Sequence, residues 1–330
     1  MIARLTAALV FLLVVIGAVG GGAYLWFARA VLVPGPLLEA KTLVIEPGGG
    51  LGAIARQLEA AGVVADARLL ELQARRSGQA RALKPGEYQF ESGVSVVAAL
   101  DKIVRRDVVV RYFTVPEGLV TADIRRILAE APGLVGEATA KVEDGELLPE
   151  TYRYEWGDTR AAVFGRMRGA RDAVLEELWE TRDSNLPVAS KQEAVILASI
   201  VEKETGVASE RPRVAAVFIN RLRRGMKLQS DPTVIYGIAP QAGQLERSIT
   251  RADLEAPNPY NTYIVTGLPP SPICHPGRAA LAAVLKPLQS NELYFVADGT
   301  GGHAFAATLE EHNKNVARWR KIEREMKTAP

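Results

Sequence analysis

The chain has 330 residues, of which 48% are hydrophobic and 24% charged, and this globular composition excludes a disordered, collagen-like or polytopic membrane protein. Its 40 Lys and Arg residues nearly balance its 38 Asp and Glu residues, which excludes the strongly basic surface expected of a nucleic-acid-binding protein. The single cysteine, Cys274, and the three histidines exclude an intrachain disulfide framework, a cysteine-only zinc site and a histidine-rich metal site.

The first predicted element is a membrane anchor. Residues 5–28 carry no charged side chain, and about 20 apolar residues suffice for a helix to span the hydrocarbon core of a bilayer. Tyr24 and Trp26, near the end of this run, belong to residue types enriched at membrane interfaces. A cleaved signal peptide is the alternative, but its apolar region is only about 7–15 residues long and small residues follow it. We therefore expect residues 1–30 to form an uncleaved transmembrane helix.

The next predicted elements are a linker and a small α/β module. Residues 31–40 contain two prolines and a glycine, which predict a stiff linker. Residues 41–112 contain three segments with apolar residues at helical spacing, separated by short strand-like runs. The glycine-rich turn at residues 47–50 has neither the lysine of a P-loop nor the spacing of a dinucleotide fingerprint, so nucleotide binding is disfavoured. Residues 113–185 predict a mixed α/β connecting segment.

The clearest local signals lie in residues 186–330, which are predicted to form the last domain. Ser190 and Glu193, three residues apart, form a capping box, so a helix is expected to begin at Lys191 and to be stopped by Gly206. Further helices alternate with loop-like stretches rich in polar and aromatic side chains. Together with the front module they predict an α+β fold. The predicted loops cover residues 228–237, 258–263 and 267–277.

Two glutamates near the end of this helix are separated by helical geometry. At about 100° per residue, Glu204 shares a face with Ala194, Leu197 and Val201, whereas Glu202 lies roughly 200° away. A carboxyl group held against apolar neighbours favours its protonated form, and the raised pKa suits a general acid at neutral pH. Spacing by itself leaves open whether either glutamate is catalytic or is a solvated residue of the last turn.

Four motifs within residues 191–305 carry a family resemblance. In chain order they read LASIVEKET, VFINRLRRGMKLQSDPTVIYG, NPYNTYIVTGLPPSPICHPG and LYFVADGTGGHAF. Weaker matches extend toward the front of the chain as IEPGGGLGAIARQLEAAGVV, LKPGEYQF, VPEG and LLPETY. The chain therefore resembles the endolytic murein transglycosylase family, also called MltG or YceG-like.

The resemblance implies both an architecture and an activity. Residues 1–30 would be a single-pass anchor in the inner membrane, residues 41–112 a LysM-like module, and residues 186–330 a catalytic domain in the periplasm. The implied reaction is endolytic cleavage of the bond between N-acetylmuramic acid and N-acetylglucosamine in nascent peptidoglycan, which leaves 1,6-anhydro ends and limits strand elongation. It involves no metal, cofactor or nucleic acid. The implied partners are peptidoglycan strands and wall synthases, notably penicillin-binding proteins.

The resemblance also places the catalytic acid within the VEKET run. Glu204 is assigned this role because it lies on the inward face of the helix, and Glu202 is the fallback. A lytic enzyme needs only one carboxyl group, since the same group protonates the leaving oxygen and then accepts the proton of the muramyl 6-hydroxyl. A hydrolase needs two carboxyl groups, and Asp231 is the best candidate for the second. The other alternative is a non-catalytic scaffold that binds the wall.

Polar and aromatic residues of the same motifs are candidates for substrate binding. Amide, hydroxyl and carboxylate groups can bond sugar hydroxyls and N-acetyl groups, and tyrosine offers an apolar face with a hydroxyl group. The alternative is structural, with the tyrosines in the core and the asparagines and Asp231 bonded within local turns. The candidates are Asn220, Gln229, Ser230, Asp231, Tyr236, Asn258, Tyr260, Asn261 and Tyr263.

Overall fold

The computed structural model describes residues 2–139 and 141–328. The chain divides into two compact units. The first contains the residues up to Arg111 and the short segment 153–157, and the second contains all the others. Both units combine helices with short strands, so the predicted α+β fold class is confirmed.

The N-terminal helix α1 (Ile2–Ala30) is the only helix, among the described residues, that is long and apolar enough to cross a membrane. Its side chains are exposed from residue 4 to residue 26. Phe27 and Val31 are instead buried in the core of the first unit, where the Arg76 guanidinium lies 5.6 Å from the centre of the Phe27 ring. The length and composition of α1 fit a single-pass membrane anchor.

After α1, the first unit folds two paired strands and three helices around a small core. Its elements are β1 (Lys41–Ile45), α2 (Leu51–Ala60), α3 (Ala67–Arg76), β2 (Gly86–Phe90) and α4 (Val96–Arg105). The two strands pair antiparallel, with Lys41 opposite Phe90. The side chains of Asp66 and Ser95 cap the starts of α3 and α4 by accepting backbone N–H bonds. Gly35, in the predicted linker, donates its N–H to the Val94 carbonyl and ties the linker to this unit.

The predicted connecting segment, residues 113–185, folds mostly within the second unit. The elements here are β3 (Val110–Thr114), α5 (Thr121–Glu130), β4 (Thr151–Glu155) and α6 (Arg160–Glu180).

The second unit is organised around one buried helix, α7 (Lys191–Glu204). Every residue of α7 from Ala194 to Val201 is buried, because the helix is apolar on all sides and must be enclosed. The remaining elements are α8 (Arg211–Arg223), α9 (Asp231–Ile238), α10 (Arg251–Glu255), α11 (Arg278–Leu285), β5 (Tyr294–Ala297), β6 (His303–Ala306) and α12 (Leu309–Thr328). Helices α8, α9 and α11 pack directly against α7.

Helix α7 begins where the sequence predicts, but it does not end where predicted. The Ser190 hydroxyl accepts the Glu193 N–H, as a capping box requires, although the Glu193 carboxylate accepts from Ala189 rather than from Ser190. The predicted stop by Gly206 was wrong. The helix ends one residue earlier because Thr205 is extended, with its hydroxyl accepting the Val207 N–H.

The prediction of a loop over residues 228–237 was also wrong. Helix α9 occupies most of this stretch. The Asp231–Pro232 pair that suggests a turn suits the first turn of a helix equally well, because a helix leaves its first N–H groups unbonded. The Thr233 hydroxyl donates to the Ser230 carbonyl and closes this turn.

Gly145 is a position where the fold of the second unit requires glycine. Its φ is +84°, and a Cβ there would lie 2.5 Å from Cγ of Pro272. We expect Gly145→Ala to destabilise the protein by the cost of left-handed backbone, about 1–2 kcal/mol, plus about 1–3 kcal/mol of overpacking. Gly136→Ala is the matched control, because Gly136 has a φ of +73° and no atom within 4 Å of the added Cβ. Thermal unfolding of both variants checks this, and equal losses in Tm would contradict it.

Candidate active site

The C-terminal end of α7 opens on a cavity. Glu204, the last residue of the helix, lines a space of about 320 Å³ together with Arg221, Gln229, Asp231 and Tyr263. These side chains come from α7, from the last turn of α8, from the start of α9 and from the loops beside it. The rest of the lining is formed by Leu228, Phe295, Val296, His312 and Val316.

The environment of Glu204 favours the protonated form of its carboxyl group. Burial raises the pKa of its carboxyl group to about 7, and the negative charge of Asp231 acts in the same direction. The Ser230 hydroxyl donates a hydrogen bond to Oε1 of Glu204, which favours the ionised form, as do the charges of His303 and Arg221. The opposing influences leave a carboxyl group that exchanges its proton near neutral pH.

Glu202 has a different environment. Its side chain is only 4% exposed, and Oε1 lies 3.1 Å from Nη2 of Arg211. Oε2 accepts the N–H of Gly277 at 2.8 Å. Burial raises the pKa of Glu202, while the Gly277 and Arg211 bonds favour its ionised form. Glu202 lies outside the described lining of the Glu204 cavity, in agreement with the expected separation of the two carboxylates.

The loop that carries Ser230 is fixed by a buried arginine. Arg221 donates from Nε to the Leu293 carbonyl at 2.6 Å, and from Nη1 to the Leu228 carbonyl at 2.8 Å. Nη1 also donates to Oε1 of Gln229 at 3.3 Å. Gln229 has a φ of +53°, a conformation that costs a non-glycine residue about 1–3 kcal/mol. Arg221 therefore stabilises a strained turn immediately before the serine that bonds Glu204.

Two further predicted residues face the same cavity. The Tyr263 hydroxyl donates to Oδ1 of Asp231 at 2.6 Å, and burial raises the pKa of this tyrosine. The structure thus brings together Glu204, Ser230 and Asp231 with the predicted Gln229 and Tyr263.

Two of the predicted tyrosines lie elsewhere. Tyr236 and Tyr260 line a second cavity of about 370 Å³, with their rings edge to face and 4.9 Å apart. The Tyr236 hydroxyl donates to Oδ2 of Asp144 at 2.8 Å, and the Tyr260 hydroxyl lies 2.6 Å from Oγ of Ser271.

The side-chain amide groups of the three predicted asparagines donate hydrogen bonds to backbone carbonyls. Asn220 donates to the Ser290 carbonyl at 2.8 Å, and Asn258 donates to the Gly237 carbonyl at 2.8 Å. Asn261 donates to the backbone carbonyls of the α10 segment and accepts the Tyr263 N–H at 3.0 Å. These bonds hold the segments that carry the cavity walls.

Sequence reasoning missed two polar members of the Glu204 cavity. Arg221 had a usable signal, because it follows Val214 and Phe218 at helical spacing and therefore shares the buried face of α8. His312 had none, since it lies in a highly charged helix far along the chain. Its Nδ1 atom is buried without a hydrogen-bond partner among the described residues.

Comparison with known protein families identifies the family of this chain. A model of the YceG-like family matches residues 43–318, which is most of the chain. The chain belongs to the YceG-like family. The matched residues include α7, the Ser230 loop and the β5–β6 hairpin.

Individual relatives of this YceG-like protein carry a functional name. A Bacillus subtilis protein named endolytic murein transglycosylase is 29% identical over 329 residues, with 89% of each chain covered. A Streptococcus pneumoniae protein of the same name is 29% identical over 325 residues, and the match covers 84% of this chain but 58% of the pneumococcal one. The 2.6 Å crystal structure of a yceG-like protein from Listeria monocytogenes shares 27% identity with a TM-score of 0.53, over 84% of this chain and 98% of that one.

The raised pKa of Glu204 makes stability depend on pH. The native protein keeps a proton that the unfolded chain releases from about pH 4.5, so native stability falls as the pH rises from there through about 7. Glu204→Gln removes this loss, and we expect its Tm relative to wild type to be higher at pH 8 than at pH 5. Glu130→Gln, at an exposed position of α5, is the control and should show no such difference. A Glu204→Gln effect independent of pH would contradict the raised pKa.

Proposed function

We propose that this YceG-like protein is a membrane-anchored lytic transglycosylase, in which Glu204 cleaves the bond between N-acetylmuramic acid and N-acetylglucosamine in nascent peptidoglycan. The observation that carries the proposal is a carboxyl group with a pKa of about 7 at the wall of a cavity. The names of the Bacillus and Streptococcus relatives supply the substrate and the reaction class.

The first step uses Glu204 as a general acid. Its proton moves to the bridging glycosidic oxygen while the bond from that oxygen to the anomeric carbon of the muramyl sugar breaks. The electron pair of this bond stays on the leaving oxygen, which becomes the hydroxyl of N-acetylglucosamine. Positive charge develops on the muramyl ring, and we assign its stabilisation to the Asp231 carboxylate on the cavity wall. Ser230 stabilises the Glu204 carboxylate that this step produces.

The second step returns the proton to Glu204. The carboxylate takes the proton of the muramyl 6-hydroxyl, and the freed oxygen forms a bond to the anomeric carbon. The product is a 1,6-anhydromuramyl end, no water is consumed, and the enzyme regains its starting protonation state. A single carboxyl group is sufficient, which agrees with the location of Glu202 against Arg211 rather than at the cavity.

Seven of the nine predicted binding residues divide into two roles in this proposal. Gln229, Ser230, Asp231 and Tyr263 surround Glu204, and we assign them to substrate contact at the cleavage site. Asn220, Asn258 and Asn261 hold the backbone of the cavity walls through their amide groups.

The front of the chain supports a role in locating the enzyme at the wall. We propose that the order β1–α2–α3–β2, with antiparallel strands and both helices between them, is a LysM-like glycan-binding module. Helix α1 would anchor the protein in the inner membrane, with the catalytic residues in the periplasm, beside wall synthases such as penicillin-binding proteins. Cutting there would limit the length of the growing strand.

One observation favours a second candidate reaction. Asp231 shares the cavity with Glu204, so a muramidase that activates water with Asp231 is the alternative. The two reactions give different ends, since hydrolysis leaves a reducing end that is heavier than the anhydro end by one water. Mass spectrometry of the digested strands separates them.

The proposal predicts opposite outcomes for the two glutamates of α7. Glu204→Gln should lower the rate of anhydro-end formation by about 10²–10⁴-fold, because the general acid is removed, while the variant remains folded. Glu202→Gln should reduce thermal stability, because Arg211 loses a charged partner in a buried ion pair, but should still form anhydro ends. If Glu204→Gln forms anhydro ends at the wild-type rate, the assignment of Glu204 as the general acid is contradicted. The absence of product from the wild type as well as from both variants would favour a non-catalytic scaffold.

The pH dependence of cleavage should reflect Glu204. The first step needs the protonated form, so the rate should fall as the pH rises through about 7. Ser230→Ala removes a hydrogen bond that favours the ionised form, and this falling limb should therefore move to higher pH. Ser248→Ala, at an exposed position, should leave the profile unchanged. A profile that is identical in wild type and Ser230→Ala would contradict the coupling between the two side chains.

A further inference from the structure

The second cavity of the second unit lies apart from the cleavage site. It measures about 370 Å³ and its described lining contains Tyr236 and Tyr260 but not Glu204. A cavity of this size falls within the usual range for small-molecule sites, about 300–1,000 Å³. Its walls combine two aromatic rings with hydroxyl and amide groups, which come from Thr121, Ser271 and Gln241.

A buried polar network holds one wall of this cavity in place. Asp144 accepts the backbone N–H of Thr121 at 2.6 Å and the Tyr236 hydroxyl at 2.8 Å. Below them, Nδ1 of the fully buried His275 accepts the Leu147 N–H at 3.1 Å, and Nε2 lies 3.0 Å from Oγ1 of Thr121. Because both Asp144 oxygens already accept bonds from the protein, the wall presents a fixed tyrosine ring rather than a free carboxylate.

Two separate segments connect this cavity to the cleavage site. Helix α9 begins with Asp231 at the Glu204 cavity and carries Tyr236 near its other end, at the second cavity. The turn that follows α10 does the same, with Tyr263 at the first cavity and Tyr260 at the second. Asp231 and Tyr236 are five residues apart on α9, a rise of about 7.5 Å, which a short run of linked sugars can span.

We infer that the second cavity is a subsite for a further N-acetylated sugar of the same glycan strand, away from the bond that is cut. This inference rests on the proposed function, because it takes the occupant of the Glu204 cavity to be a glycan. A sugar suits the lining, since its apolar ring face packs on an aromatic side chain while its hydroxyls bond polar groups at the rim. The neighbouring carboxylate of Glu143, also in the lining, disfavours the negatively charged end of a peptide stem.

A remote subsite of this kind makes cleavage depend on strand length. A long strand fills both cavities and gains binding energy from the second, whereas a short oligosaccharide fills only the cleavage site. Binding energy from a remote part of a substrate raises the rate at the reacting bond. The enzyme would therefore prefer bonds inside a strand to bonds in short fragments.

The test fills the second cavity without removing a core side chain. Ala122 is an exposed residue of α5 in the lining of this cavity, so Ala122→Trp should block it. Ala129→Trp, on the same helix, exposed and outside the described lining, is the matched control. The full-length protein in detergent is assayed on peptide-free glycan strands separated by length, and kcat/KM is compared for long and short substrates.

We expect Ala122→Trp to lower the ratio of kcat/KM for long strands to that for short ones by about tenfold, which corresponds to about 1.4 kcal/mol of binding energy. Ala129→Trp should keep the wild-type ratio. An unchanged ratio in Ala122→Trp, or an equal loss on both substrate lengths, would overturn the inference. So would a length effect that appears only when the strands carry peptide stems, because the occupant would then be a peptide.

This result is distinguishable from failure of the proposed function. The function fails if the wild-type protein does not cut glycan, or if Glu204→Gln cuts it at the full rate. In the first case, the affinity of the full chain for long peptide-free strands is compared between Ala122→Trp and Ala129→Trp. Weaker binding by Ala122→Trp alone supports the subsite, and equal binding overturns it.

Discussion

The removal of one carboxyl group from water is the constraint on which the site depends. Helix α7 is buried along its middle because its residues are apolar on all sides, so its final side chain, Glu204, emerges at the boundary between the core and a cavity. An ionised carboxylate is poorly solvated there, and the proton stays bound up to about pH 7. The same burial that stabilises the second unit therefore produces the acid that the proposed chemistry requires.

The rest of the site holds this carboxyl group in place without pairing it with a positive charge. Arg221 carries a positive charge near the cavity, but its Nε and Nη1 groups bond to carbonyl oxygens and to Gln229, so it holds the loop rather than forming a direct ion pair with Glu204. That loop carries Ser230, whose hydroxyl donates the hydrogen bond that orients the carboxyl group. Had Arg211 been paired with Glu204 instead of Glu202, the opposite charge would have favoured the ionised form and removed the proton needed at neutral pH.

Local sequence signals predicted the helices around the site better than they predicted which side chains line the cavity. The start of α7 follows from Ser190 and Glu193, and the divergence of Glu202 from Glu204 follows from helical periodicity, because both depend on neighbours in sequence. Helical spacing places Arg221 on the buried face of α8, but tertiary packing brings it to the cavity, and His312 on α12 reaches the cavity without any local signal. The asparagine motifs were ambiguous for a physical reason: an amide that binds a sugar and an amide that bonds a backbone carbonyl have the same chemistry, and only the fold reveals the partner.

The most direct measurement is the titration of the Glu204 carboxyl group itself. The full chain labelled with ¹³C at the glutamate side-chain carboxyl carbon can be followed by NMR as the pH is changed, and the Glu204 signal is identified by its absence from the spectrum of Glu204→Gln. A midpoint close to pH 7 is the result that the account predicts. A midpoint near 4.5, the ordinary value for a solvated glutamate, would contradict it, because the side chain would then hold no proton to donate at neutral pH.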